Sequence, residues 1–218
     1  MRDDAMKTTV LSLQMIPNAD PTLLENLKLP RGMRSLGIIT TDCDDVSYAA
    51  LDEATKKVNV TVAYARSMYA GASNAGTKLA GEFIGILAGE DPAEVKSGLD
   101  AAVRYIERDA HFVSANDDDS IVYFAHCISR TGSYLSKEAG VPEGTAMAYL
   151  IAPPIEAIVA LDAALKAAEV ELRLFYGPPT ETNFAGGLLT GDQAACLAAC
   201  RAFADAVCSV AQNPVISE

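Results

Sequence analysis

The heptapeptide ALDEATK at residues 50–56 returns, little changed, as ALDAALK at residues 160–166. A strand-like stretch follows each copy, at residues 58–65 and at residues 170–176. The numbers of the two heptapeptides differ by 110, which is close to half of the 218-residue chain. The period of this helix–strand repeat is too long for a solenoid. It therefore indicates two similar domains.

Two further blocks keep the same order: residues 36–39 correspond to 148–151, and residues 87–90 correspond to 189–192. We predict the same elements in each half: an opening strand, a short helical piece, a buried strand, a helix, two strands and a final helix. The predicted ranges are 8–16, 21–28, 34–40, 44–57, 58–65, 81–87 and a helix from 91 in the first half, and 121–128, 134–138, 146–151, 154–168, 170–176, 183–189 and 192–211 in the second. This order predicts an α+β fold with antiparallel sheets flanked by helices, as two domains at residues 1–112 and 113–218.

Charge and composition exclude several classes of function. Lys plus Arg is 17 and Asp plus Glu is 29, so the net charge is −12, which disfavours nucleic acid and anionic membranes as partners. Acids stand at residues 3 and 4, where a signal peptide would be basic, and the apolar run 146–168 is interrupted by two prolines. We therefore predict no signal peptide, no transmembrane helix, and five reduced cysteines in a cytosolic protein.

The densest polar cluster is the segment TTDCDD at residues 40–45, between a buried strand and a helix. Helix capping explains one acid there, because a carboxylate satisfies free N–H groups and complements the helix dipole. Three acids in four residues repel one another, which suggests that at least one faces a pore or a cation. Glu82 lies in the predicted strand 81–87, where a carboxylate belongs either on the solvent face or in a site.

Two loops occupy equivalent places in the two halves, at residues 66–76 and 177–183. The simplest interpretation is a pair of mobile hairpin tips. Equivalent loops could instead line one symmetric opening, with their glycines acting as hinges for a lid.

Other motifs give weak signals. His111 and His126 belong to no metal-binding pattern, and no P-loop, GxGxxG or GxSxG motif is present. Cys196 and Cys200 share a helix face, but without a nearby histidine or second cysteine pair they indicate zinc only weakly. The sequence therefore favours a structural protein over an enzyme.

Several strings along the chain resemble the EutL-type shell proteins of ethanolamine-utilisation bacterial microcompartments. They span nearly the whole chain in order, so the resemblance is specific. The strings are LKLPRGMRSLGIITTDCDDVSYAALDEATK (27–56), RSMYAGA (66–72), SRTGSYLS (129–136), AMAYLIAPPIEA (146–157), ALDAALK (160–166) and TETNFAGGLLTGDQAACLAACRAFADAV (180–207).

The resemblance implies two tandem, circularly permuted microcompartment domains, and a pseudohexameric homotrimer that tiles with other shell proteins in the cytoplasm. It also implies a small pore in each subunit and a gated central pore. The small pore would be lined, and ethanolamine bound, by Asp44, Asp45, Glu82, Phe112, Val113, Ser114 and Ala115. The central pore would be gated by Met68, Tyr69, Ala70, Gly71, Thr180, Glu181, Thr182 and Asn183. Relatives can carry a bulky aromatic where this chain has Ser114.

We expect no required cofactor and consider ethanolamine, cobalamin and zinc as bound ligands. Two alternatives to a selective shell protein remain open. The first is an enzyme that uses Asp44, Asp45 and Glu82 as metal ligands or as acid and base. The second is a duplicated small-molecule-sensing domain of a regulator, which would form a discrete soluble oligomer and no layers.

Overall fold

A computed structural model describes residues 1–68, 79, 81–178, 180 and 183–213. The chain divides into two compact units. The first unit contains residues 7–110 and 132–135, and the second contains residues 1–6, 111–131 and the chain from residue 136 onward. Neither unit is continuous in sequence, whereas the predicted domains 1–112 and 113–218 are.

The helices and strands follow the predicted order in both halves. In chain order they are β1 (Ala5–Met6), β2 (Val10–Ile16), α1 (Pro21–Asn26), β3 (Ser35–Thr41), α2 (Asp44–Lys57), β4 (Thr61–Ser67), β5 (Phe83–Gly89), α3 (Pro92–Arg108), β6 (Phe112–Ser114), β7 (Val122–Ile128), α4 (Ser133–Ala139), β8 (Ala146–Ala152), α5 (Pro154–Ala167), β9 (Glu171–Tyr176), β10 (Ala185–Gly191) and α6 (Gln193–Gln212).

The two sheets share one topology. The sheet of the first unit has the order β2-β3-β5-β4, and the sheet of the second unit contains the equivalent order β7-β8-β10-β9. Every strand pair in both sheets is antiparallel. The predicted α+β fold and its duplication are therefore confirmed, and helix α2 has the predicted bounds.

No strand was predicted between the helix that begins at residue 91 and the strand at residues 121–128, where the structure contains strand β6. This strand pairs with β1 on one side and with β7 on the other, which extends the second sheet to six strands. Strands of two and three residues are too short to show an alternating pattern in sequence.

Small side chains let the helices pack closely in the second unit. Helix α6 covers its own sheet, where it packs against β7, β8 and β10, and it also packs against α5. Its buried face includes Cys196, Cys200, Phe203 and Val207. Among the described residues, α6 alone is long and apolar enough to cross a membrane, by length and composition only.

A buried carboxylate holds residues 132–135 in the first unit. Asp52 on α2 has no exposed surface, and its two oxygens accept hydrogen bonds from the backbone N–H groups of Gly132 at 2.7 Å and Leu135 at 2.8 Å. Thr55 Oγ1 accepts a third from the Ser133 N–H at 3.1 Å, and Lys56 Nζ lies 3.7 Å from the Asp52 carboxylate. A Cβ at Gly132 would lie 2.2 Å from Thr55 Oγ1, so this approach requires glycine.

We predict that Asp52→Ala lowers the free energy of unfolding by about 2–4 kcal/mol, because it leaves two buried backbone N–H groups without acceptors. Urea denaturation followed by circular dichroism measures the loss. Asp162→Ala removes the equivalent, exposed aspartate of α5 and is expected to change the free energy by less than about 0.5 kcal/mol. Equal losses in the two variants would contradict the role given to Asp52.

A second prediction concerns pH. Burial is the largest influence on Asp52 and raises its pKa above the ordinary value, against the lowering effect of its hydrogen bonds and Lys56. A raised pKa in the folded state gives stability that is present below the unfolded pKa of about 4 and is lost as the pH rises through the folded pKa. The stability difference between the wild type and Asp52→Asn should therefore shrink across that window. A difference that grows with pH would show that the folded pKa is lowered instead.

Candidate functional site

Helix α2 begins in an acidic segment. Its N-cap is Cys43, which makes no side-chain capping bond, and Asp44 and Asp45 form the first turn, where their charges complement the helix dipole. Both aspartates are buried. Asp42, just before the helix, is exposed and accepts a hydrogen bond from the Thr9 N–H at 2.7 Å. Capping therefore explains only part of this cluster.

Neighbouring polar groups fix the position of Asp44. One carboxylate oxygen accepts the Asp45 N–H at 2.9 Å, and the other accepts the hydroxyl of Ser67 at the end of β4. Ser67 Oγ lies 3.1 Å from the Tyr48 hydroxyl, one turn along α2 from Asp44. Sequence reasoning did not single out Ser67 or Tyr48. The spacing of four residues between Asp44 and Tyr48 could have identified the tyrosine, whereas Ser67 is distant in sequence and gives no such signal.

Glu82 lies outside the strand in which it was predicted. Strand β5 begins at Phe83, and Glu82 precedes it with an exposed side chain. Its backbone N–H donates to the Thr41 carbonyl at 2.9 Å, and its carbonyl accepts from the Met68 N–H at 2.7 Å. Gly81 has φ +64° and sits so close to Thr41 that a Cβ would meet its carbonyl oxygen. Glu82 thus takes the solvent-facing alternative, at a fixed place beside the end of β3.

The carboxylates influence one another electrostatically. Partial desolvation of the otherwise exposed carboxylate, together with the charges of Asp44 and Asp42, raises the pKa of Glu82. Burial, with the charges of Asp45 and Asp44, raises the pKa of Cys43 to about 12. The structure therefore brings three of the predicted small-pore acids into one negative field at the start of α2, and no described ion pair involves Asp42, Asp44 or Glu82.

The remaining predicted small-pore residues belong to the second unit, in and after β6. The Phe112 ring stacks on Phe124 with 5.4 Å between centroids, and Val113 faces Tyr123 in the sheet. Ser114 is buried, and its hydroxyl donates to the Asn116 carbonyl at 2.8 Å. The backbone N–H of Ser114 donates to the Asp4 carbonyl, the Ser114 carbonyl accepts the Asp3 N–H, and the N–H of the buried Ala115 donates to the Ile121 carbonyl. Sheet pairing already uses much of this backbone.

The predicted gating residues flank equivalent strand connections, between β4 and β5 and between β9 and β10. Met68 is half-buried directly after β4. Thr180 Oγ1 donates to the Phe184 carbonyl at 2.9 Å, and Asn183 adopts φ +61°, a left-handed conformation that asparagine tolerates. Tyr69, Ala70, Gly71, Glu181 and Thr182 lie outside the described residues.

The described part of the chain contains no group of three or more His, Cys, Asp or Glu side chains that could hold a metal ion. Asp44, Asp45 and Glu82 form a cluster of negative charge in which the two aspartates are buried and Glu82 is exposed. That arrangement can attract a small organic cation.

Comparison with known proteins identifies the fold. Residues 35–117 match the family model of the BMC domain. The chain is 64% identical to the bacterial microcompartment shell protein EutL of Clostridium perfringens over 215 residues, which cover 99% of each chain. The crystal structure of ethanolamine utilization protein EutL from Leptotrichia buccalis superimposes with a TM-score of 0.96 at 66% identity and covers 100% of both chains.

A more distant structure shares the fold alone. A trimeric bacterial microcompartment shell protein, PduB, gives a TM-score of 0.75 at 23% identity and covers 92% of this chain and 88% of its own. The high identity over full length is what decides the family: the chain belongs to the EutL family of bacterial microcompartment shell proteins.

Proposed function

We propose that this shell component forms trimers that tile into the microcompartment wall, and that each subunit admits ethanolamine beside the acidic start of α2. Membership of the family makes the chain a structural protein of the microcompartment shell, which resides in the cytoplasm. The proposal adds the trimer, the contacts with other shell proteins, the ligand, and a gated central opening for larger cofactors such as cobalamin.

The charges of the acidic cluster support ethanolamine as the ligand. No described ion pair offsets Asp42, Asp44 or Glu82, and burial together with the charges of Asp44 and Asp42 raises the pKa of Glu82, so a bound cation would relieve the repulsion between these carboxylates. Ethanolamine is a cation near neutral pH. A unit charge about 4 Å from a carboxylate gains roughly 4 kcal/mol at an effective dielectric of about 20, before the cost of desolvation.

The acids have different parts in this proposal. Asp44 is already engaged with Ser67 and with the Asp45 N–H, so it supplies charge from a fixed position. Glu82 is exposed and would approach the ammonium directly, and Asp45 in the first turn of α2 would add a second charge. Because Glu82 stays accessible to water, binding is weak enough to release the ligand, as transport requires.

The trimer and the central opening rest on the duplicated fold. Two similar domains in one chain allow three chains to present six similar edges, and a trimeric shell protein shares the fold. The loops assigned to the central opening join equivalent strands in the two units, so a ring of three chains would bring two types of loop to its axis.

We predict that Glu82→Gln weakens ethanolamine binding about tenfold or more, as measured by isothermal titration calorimetry at pH 7.5, because one interacting charge is lost. Asp45→Asn should weaken binding in the same direction. Glu107→Gln, on the exposed surface of α3, changes the net charge equally and should leave the affinity unchanged. Unchanged binding in both Glu82→Gln and Asp45→Asn would reject this site.

The pH dependence of ethanolamine binding tests the same site in a second way. Glu82 attracts the ammonium only when it is ionised, so wild-type affinity should fall as the pH is lowered through its raised pKa. Glu82→Gln should lose this part of the pH dependence. A wild-type affinity that rises on acidification would contradict the proposal.

Electron microscopy of the concentrated protein tests the assembly. Hexagonal layers are expected for a shell tile, because trimers with six similar edges pack in a plane. Isolated particles without layers, whether the protein is alone or mixed with other shell proteins, would favour the duplicated sensor domain instead.

A further inference from the structure

Helix α5 presents an apolar face to solvent. Ile155 is 71% exposed, Ile158 is 44% exposed, and Val159 and Leu165 are exposed as well. Their spacing of three, four and seven residues places them on one side of the helix. Exposed aliphatic residues that line up in this way mark an interaction surface more often than isolated ones do.

The repeat shows what covers this face in the other half. Helix α2 is the equivalent of α5 at the offset of 110, and its matching face is occupied. Asp52 and Thr55 of α2 hold the backbone of residues 132–135, and the Tyr48 ring stacks on Tyr134 with 6.1 Å between centroids. The equivalents of Tyr48, Asp52 and Thr55 on α5 are Ile158, Asp162 and Leu165.

The segment equivalent to residues 132–135 is residues 20–23, at the start of α1, with numbers that differ by 112. Backbone geometry supports this alignment. Lys28 and Gly140 both have positive φ, and so do Gly32 and Gly144. The residue numbers in each pair differ by 112, as in the alignment. Leu135 is buried in the occupied arrangement, whereas its equivalent, Leu23, is 41% exposed.

One polar contact of the first arrangement has lost both of its partners in the second. Thr55 and Ser133, which are hydrogen-bonded, correspond to Leu165 and Pro21, and neither of these can make that bond. Asp20 caps its own helix through the Thr22 N–H at 2.8 Å, so α1 needs no capping carboxylate from outside. Asp162 is left with a side chain 64% exposed and bound to Lys166 at 2.6 Å.

The contact on α5 must also be less close than the contact that residues 132–135 make on α2. Gly132 approaches α2 without a Cβ, but Asp20 brings a side chain to the equivalent place. Backbone N–H groups therefore cannot reach Asp162 as they reach Asp52. The contact is made instead by apolar side chains that project further. These are Leu23 on α1 and Ile158 and Leu165 on α5.

We propose that α1 of a second copy of this chain docks on the exposed face of α5, with Leu23 packed against Ile158 and Leu165. This inference rests on the proposed trimer and specifies one of its contacts. Because the two surfaces are different, the contact is heterologous, and three copies that each offer one α1 and one α5 close into a ring.

The test uses the full chain and measures molar mass by size-exclusion chromatography with light scattering. Leu23→Asp and Ile158→Asp should each convert the trimer to monomer and retain the wild-type circular dichroism spectrum. Leu197→Asp is the matched control: Leu197 is 42% exposed on α6, and the mutation should leave the trimer intact. Asp162→Ala should also leave it intact, because the contact is apolar.

A mixture of the two disruptive variants tests the heterologous geometry. The Leu23→Asp chain retains an intact α5 face, and the Ile158→Asp chain retains an intact α1, so an equimolar mixture should form heterodimers that cannot close into a ring. If the charged variants misfold, Leu23→Ala and Ile158→Ala should raise the concentration needed for trimer formation at least tenfold.

Trimers that persist in Leu23→Asp or in Ile158→Asp overturn the inference while the proposed function stands. Dissociation by Asp162→Ala overturns it too, since the carboxylate would then make the contact. A wild-type chain that is itself monomeric rejects the proposed trimer, which distinguishes that failure from this one.

Discussion

The buried carboxylate of Asp52 imposes a constraint on its whole unit. A charged group without exposed surface is tolerated only when hydrogen bonds and paired charge replace its water. Here the hydrogen bonds come from the N–H groups of Gly132 and Leu135, and Lys56 supplies the opposite charge 3.7 Å away. The first unit is therefore complete only when residues 132–135 are bound to α2. Helix α2 carries this carboxylate in its middle and the acidic cluster at its start, so the contact that fixes the helix also fixes the site.

The sequence predicts the architecture better than it predicts the site. The pair ALDEATK and ALDAALK reveals the duplication, and one helix–strand order in both halves leads to one strand order in both sheets. The strand at 81–87 was predicted to begin two residues too early, because Gly81 and Glu82 adjoin the apolar run and no local pattern marks where pairing starts. Strands β1 and β6 were missed because their register depends on long-range pairing rather than on local pattern.

Site geometry depends on contacts that are remote in sequence. Asp44 and Asp45 are recognisable from their density of charge, but the hydroxyl that holds Asp44 comes from Ser67, at the end of another strand. Resemblance to a family identifies the predicted small-pore acids without explaining why they lie together. The structure supplies that reason, since β3 leads into α2 and also pairs with β5, beside which Glu82 stands.

The thiol of Cys43 gives the acidic cluster a chemical consequence. Only a thiolate attacks electrophiles at an appreciable rate, and a pKa near 12 leaves almost none of it at neutral pH. Burial also keeps the pKa of Cys196 high, at about 11. A single reactive cysteine introduced at an exposed position should therefore accept a maleimide dye in preference to Cys43 and Cys196, because the acidic cluster protects the sulfur of Cys43 from modification.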